Sequence, residues 1–151
     1  MIEDLEVYLP HRDPMILIDR LVSADESHAV CEVKITPQSV FYDRGQVPAW
    51  VGVEYMAQSV AVYAGHSGHS KGEPLSVGFL LGVRKYNISV DHFKEGQTLT
   101  IRVNPLLIDG GVGSFKCLIE HDDHVIAEAT ITTYKPDQEM LDKFTSQKGL
   151  S

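Results

Sequence analysis

The chain has 151 residues, the length of one ordinary domain, and is 43% hydrophobic and 23% charged. It can therefore bury a core and is not a disordered tail. Thirteen basic against 21 acidic side chains give a net charge of -8, which argues against non-specific nucleic-acid binding. No apolar run approaches the roughly 20 residues of a membrane span. The N-terminus, MIEDLEVYLPHRDP, is acidic and broken by two prolines, unlike a secretory signal. Cys31 and Cys117 then read as buried free thiols of a cytoplasmic protein.

In chain order, Ile2–Tyr8 reads as one or two helical turns that Pro10 stops. Met15–Val22 is apolar, and Ala29, Cys31, Val33 and Ile35 then alternate with polar neighbours. Together these predict a hairpin across Ser23–Ser27. Ala49–Gly65 starts behind Pro48, ends at a glycine and is apolar on nearly every face, the pattern of a buried helix. Its strongly polar interior residues, Glu54 and Gln58, are four apart and share a face. Gly52 weakens the helix by roughly 1 kcal/mol, so it reads as a point of close packing. A polar, glycine-rich loop, His66–Ser76, precedes four strands at Val77–Tyr86, Gln97–Leu107, Gly113–His121 and His124–Tyr134. Residues 136–151 read as a polar tail. The order predicts one α+β domain over residues 1–151, an antiparallel sheet wrapped around a central helix.

Glu54 is the first candidate for chemistry. A carboxyl in an apolar helix is costly unless it is paired, neutral or placed at a pocket, and the last case suits a general acid. Gln58 reads as an orienting or packing residue. His66 and His69, and likewise His121 and His124, are three apart in polar turns with no cysteine nearby. Neither pair completes the three or four ligands that zinc usually takes, so no metal is expected.

Several segments resemble a known family. LPHRDPMILIDRLVS is similar to the opening of the 3-hydroxyacyl-ACP dehydratases of fatty-acid synthesis, which have the hot-dog fold. VPAWVGVEYMAQS resembles their central helix, GFLLGVRKYNISVDHFKEGQTL a glycine-bearing strand and turn, and VIAEATITTY their last strand. The likeness runs from about Leu9 to Tyr134 and is nearest to the small dehydratase-like proteins of aryl-polyene gene clusters. It implies dehydration of a 3-hydroxyacyl thioester without a cofactor, Glu54 serving as acid. Backbone amides near Trp50 or Val51, and the Gly82 region, would contact the thioester carbonyl, with Gln58 beside the substrate. Trp50, Val51, Tyr55 and Val83 would line an acyl tunnel between two subunits. The implied partners are an acyl carrier protein, met by Arg84, Lys85 and Lys94, and a second hot-dog chain in a homodimer or heteromer.

The chain departs from that family at one place. A catalytic histidine in a His-Phe-Pro-Gly stretch precedes the helix in family members, but the corresponding SVFYDRGQVPAW has none, and its position falls near Val40. The carboxylate half of the pair is kept. His11 is then the candidate replacement base. Two other readings follow from the departure: a non-catalytic subunit that completes a heteromeric tunnel, or a hot-dog thioesterase working through Glu54.

Overall fold

The computed structural model describes residues 5–9, 15–73 and 78–136. Six strands form one antiparallel sheet: β1 (Arg20–Asp25), β2 (His28–Lys34), β4 (Phe79–Ile88), β6 (Thr98–Asp109), β7 (Val112–His121) and β8 (His124–Tyr134). Their spatial order is β1-β2-β6-β7-β8-β4. The short strands β3 (Gln46–Pro48) and β5 (His92–Lys94) pair separately. This is the hot-dog arrangement, with the helix α1 (Gly52–Ser70) lying across the sheet against β1, β2, β6 and β7.

The alternation in the sequence decides which side of the sheet the helix covers. Cys31 pairs with Ile101, Ile101 with Ile119 and Ile119 with Ala127. All four side chains point to α1 and are buried, while their neighbours Arg102, Glu120 and Glu128 form ion pairs on the other face. A strand's period of two allows one such face and no more.

The first hairpin is tighter than expected, since Asp25 pairs with His28 across Glu26 and Ser27. The Asp25 side chain accepts the amides of Ser27 and His28, a local closure that the side chain itself supplies. Residues 15–19 run into β1 without joining it. Of the turns expected at Ile2–Tyr8, the described residues show a 3-10 turn at Leu5–Val7. Residues 1–4 and 10–14, and the tail from 137 onward, lie outside the described residues.

Helix α1 differs from expectation at its far end. It passes through Gly65 and stops at Ser70, so that residues 66–70 belong to the helix and not to a loop. Gly65 has another purpose: a Cβ there would fall on the backbone carbonyl of Tyr8. The Tyr8 ring sits between His66 and His69, at centroid distances of 5.3 and 5.7 Å. Gly72, at φ +73°, follows the end of the helix and fits the usual role of glycine past a last turn. Tyr63 ties the same half of α1 to the first hairpin, its hydroxyl donating to the Glu26 carbonyl at 2.7 Å.

Candidate active site at the helix entrance

The chain enters α1 from β3 through Pro48 and a 3-10 turn, Ala49–Val51. Proline suits this point because its φ is preset and no amide is needed. The turn is held from two sides. The Ala49 amide donates to the Asp91 carbonyl at 3.0 Å, and the Ala49 carbonyl accepts the Tyr86 hydroxyl at 2.6 Å. Burial pushes the Tyr86 phenol up to about 12, so it stays a donor throughout the neutral range. Gly52 bears out the close-packing expectation, since a Cβ there would sit 2.5 Å from the Tyr86 hydroxyl and 2.9 Å from Ile119.

Glu54 stands in the first turn of α1, on a half-exposed face that continues through Ala57, Ala61 and Ala64. Gln58, one turn on, is 1% exposed, and its amide is fully engaged. Its oxygen accepts the Leu17 amide at 2.8 Å, and its nitrogen donates to the Met15 carbonyl at 2.7 Å and to Glu54 Oε1 at 3.2 Å. One buried side chain therefore anchors the 15–17 segment and orients the carboxylate. Leaving the Leu17 amide without that partner would cost about 1–3 kcal/mol.

The other expected site residues divide between the core and the surface. Val51 is fully buried, and Tyr55 is buried against Phe93 with ring centroids 5.9 Å apart. Burial, assisted by the nearby Asp19 carboxylate, pushes Tyr55 up to about 12. Both side chains are core in this chain. Trp50 is 60% exposed and meets the exposed Phe41 edge-on at 4.9 Å. Phe41 holds φ +66°, a left-handed backbone that is unusual for an aromatic residue. Gly82 follows a bulge in β4 and has open space where a Cβ would be, so the bulge and not tight packing describes it. Val83 is half-buried opposite Ile131. His11 lies outside the described residues. Asp19 accepts the Lys34 amide at 2.6 Å, a backbone-holding role.

Residues 3–146 match the model of the ApeP-like dehydratases, described as ApeP dehydratase. The chain belongs to the ApeP-like dehydratase family. Curated relatives of this family member include the 3-hydroxyacyl-[acyl-carrier-protein] dehydratase FabZ of Oceanobacillus iheyensis. That protein is 28% identical over 137 residues, which span 87% of this chain and 95% of the relative. The FabZ of a Coxiella burnetii strain is 25% identical over 140 residues, 89% and 98% of the two chains. Among solved structures, a chain of the dehydratase heterocomplex ApeI:P from Xenorhabdus doucetiae superposes with a TM-score of 0.85 and 31% identity. That match covers 93% of this chain and 96% of the other. A Streptococcus pneumoniae hypothetical thioesterase with coenzyme A, at TM-score 0.61 and 16% identity, covers 79% and 86% and shares the fold alone. The ApeP-like chain is thus a hot-dog, 3-hydroxyacyl-ACP dehydratase-like protein.

Sequence reasoning missed two residues at this site. Tyr86 gave no signal because its partner, Ala49, is 37 residues away. Phe41 gave none because its left-handed backbone is set by the loop.

Proposed function

We propose that the chain contributes the carboxylate of a heteromeric 3-hydroxyacyl-ACP dehydratase in aryl-polyene-type or fatty-acid biosynthesis in the cytoplasm, and that a second hot-dog subunit contributes the imidazole. The base removes the α-proton of the thioester, Glu54 protonates the departing hydroxyl, and water leaves to give the 2-enoyl thioester. Amides of the turn ahead of α1 are the donors for the carbonyl oxygen as enolate charge develops. The observation that carries this reading is Glu54 held by Gln58 at the mouth of α1, behind a 38–42 loop that contains no histidine.

A shared site also accounts for the edge of the sheet. Among the described residues β4 is an outer strand, and Phe79, Leu80 and Leu81 on it are each about half exposed or more. An unpaired, apolar edge is a template for another chain. The Xenorhabdus neighbour is itself part of a dehydratase heterocomplex. Exposed Arg84 and Lys85 on β4 and Lys94 on β5 offer an acidic carrier protein its landing points on an otherwise acidic chain.

The test is mass-spectrometric turnover of a 3-hydroxyacyl-ACP by the chain alone, by the chain with a co-expressed second hot-dog subunit, and by the Glu54→Gln form of that complex. The expected result is a product lighter by one water from the complex alone, reduced about 10²–10⁴-fold by Glu54→Gln. Full turnover by the Glu54→Gln complex would overturn the proposal. Turnover by the lone chain would move the base into this chain, and its loss on His11→Ala would identify it. Release of free thiol would instead mark a thioesterase.

A further inference from the structure

We propose that Tyr86 is a positioning residue for the helix entrance: a bulge in β4 aims its hydroxyl at Ala49 and so fixes the turn whose amides face the thioester carbonyl. The catalytic part of this inference rests on the dehydratase reading above; the structural part does not.

Three observations converge on this role. Arg84 pairs with Thr130 and Asn87 with Glu128, so Lys85 and Tyr86 both stand where one residue would face Ala129. The extra residue, Lys85, holds φ +56°, a left-handed conformation that persists in a side-chain-bearing residue only where its surroundings enforce it. Bulges of this kind bend an edge strand and redirect a side chain. Tyr86, so redirected, is half-buried and donates to the Ala49 carbonyl at 2.6 Å. The same carbonyl accepts the Gly52 amide, so the tyrosine hydroxyl and the first amide of α1 share one acceptor.

Gly52 supplies the third observation. A glycine in the first turn of a helix is unfavourable, yet a Cβ there would meet the Tyr86 hydroxyl first, at 2.5 Å, ahead of Ile119 at 2.9 Å and Phe93 at 3.1 Å. A tyrosine packed only for its ring would not need the hydrogen bond to Ala49. The strand that the proposed partner would pair with is thus tied, through one hydroxyl, to the turn that leads to Glu54. The site's geometry then depends on how β4 is held.

Tyr86→Phe removes the hydroxyl and keeps the ring. In the two-subunit complex we expect kcat to fall about fivefold with KM unchanged within about twofold, the change that one ordinary hydrogen bond is worth. In the lone chain, hydrogen exchange at the Gly52 amide should rise about fivefold while the amides of Ile101 and Ile119 keep their protection. Gly52→Ala should lower the thermal midpoint of the parent chain by more than that of the Tyr86→Phe chain, because only the parent presents a hydroxyl to the new Cβ. Unchanged exchange at Gly52, or equal shifts from Gly52→Ala in both backgrounds, would overturn the pin. A raised exchange rate with unchanged kcat would overturn the positioning role. The exchange and melting arms need no turnover, so a complex that fails to dehydrate would sink the dehydratase reading alone.

Discussion

The sheet beneath α1 and the end of the sheet beyond it are both rich in apolar side chains, yet they meet opposite fates. Under the helix, Ile101, Cys117 and Ile119 are fully buried. At the far end, Ile108 pairs with Gly113, Gly113 with Thr133 and Thr133 with Leu80, a cross-strand row of the same kind. There Ile108 and Leu80 remain 57% and 50% exposed. Alternation assigns a residue to a face, but burial requires something to lie on that face. Helix α1 closes one half of the sheet and leaves the other, with edge strand β4, for a second chain in the reading proposed above.

The largest expected effect falls in the covered half. Ile101→Ala should destabilise the chain by about 2–5 kcal/mol, the range for a truncated core isoleucine, as read from urea unfolding. A cost below about 1 kcal/mol would mean that the core collapses around the gap.

A smaller, pH-dependent effect should come from the same half. Burial raises Cys31 to about 11 and Cys117, Tyr55 and Tyr86 to about 12, from ordinary values of 9.0 for the thiols and 10.0 for the phenols. These groups are neutral when protonated and are favoured so by the fold. Their contribution is therefore complete below about pH 9 and is lost as pH rises toward about 12. The urea midpoint should fall across that window, and both thiols should resist a thiol reagent until the chain unfolds. Rapid labelling of either thiol in the folded chain at neutral pH would contradict the burial.

The smallest effect on the lone chain belongs to the open end. Leu81→Lys, at a side chain 59% exposed, should shift stability by no more than about 0.5 kcal/mol while weakening co-purification with a second hot-dog subunit. If it unfolded the lone chain, the contrast between the two halves would fail.

The long strands are legible because six or more alternating residues carry their own signal, and His124–Tyr134 has the bounds that its alternation predicts. Strands β3 and β5 are not, since three residues display no period. The end of α1 is misleading for a tertiary reason: Gly65 looks like a stop signal, but it is there to let the Tyr8 carbonyl approach. At the candidate site the Glu54–Gln58 pair is visible as an i,i+4 spacing. The partners of Gln58 lie 41 and 43 residues away at Leu17 and Met15, and no local pattern marks a backbone group that will need an amide.

Chain order alone carries the hot-dog succession of strand, helix and strands, the face on which each strand is apolar, and the carboxylate in the first turn of the helix. These are local consequences of periodicity and spacing. The packing of distant segments is what makes Gln58 lock Glu54 to the 15–17 segment, keeps Gly52 free of a Cβ beside Tyr86 and Ile119, and leaves Ile108 and Leu80 exposed at one end of the sheet. Each of those depends on which remote surfaces meet, because hydrogen bonds and steric exclusion act between neighbours in space that the order of residues does not reveal.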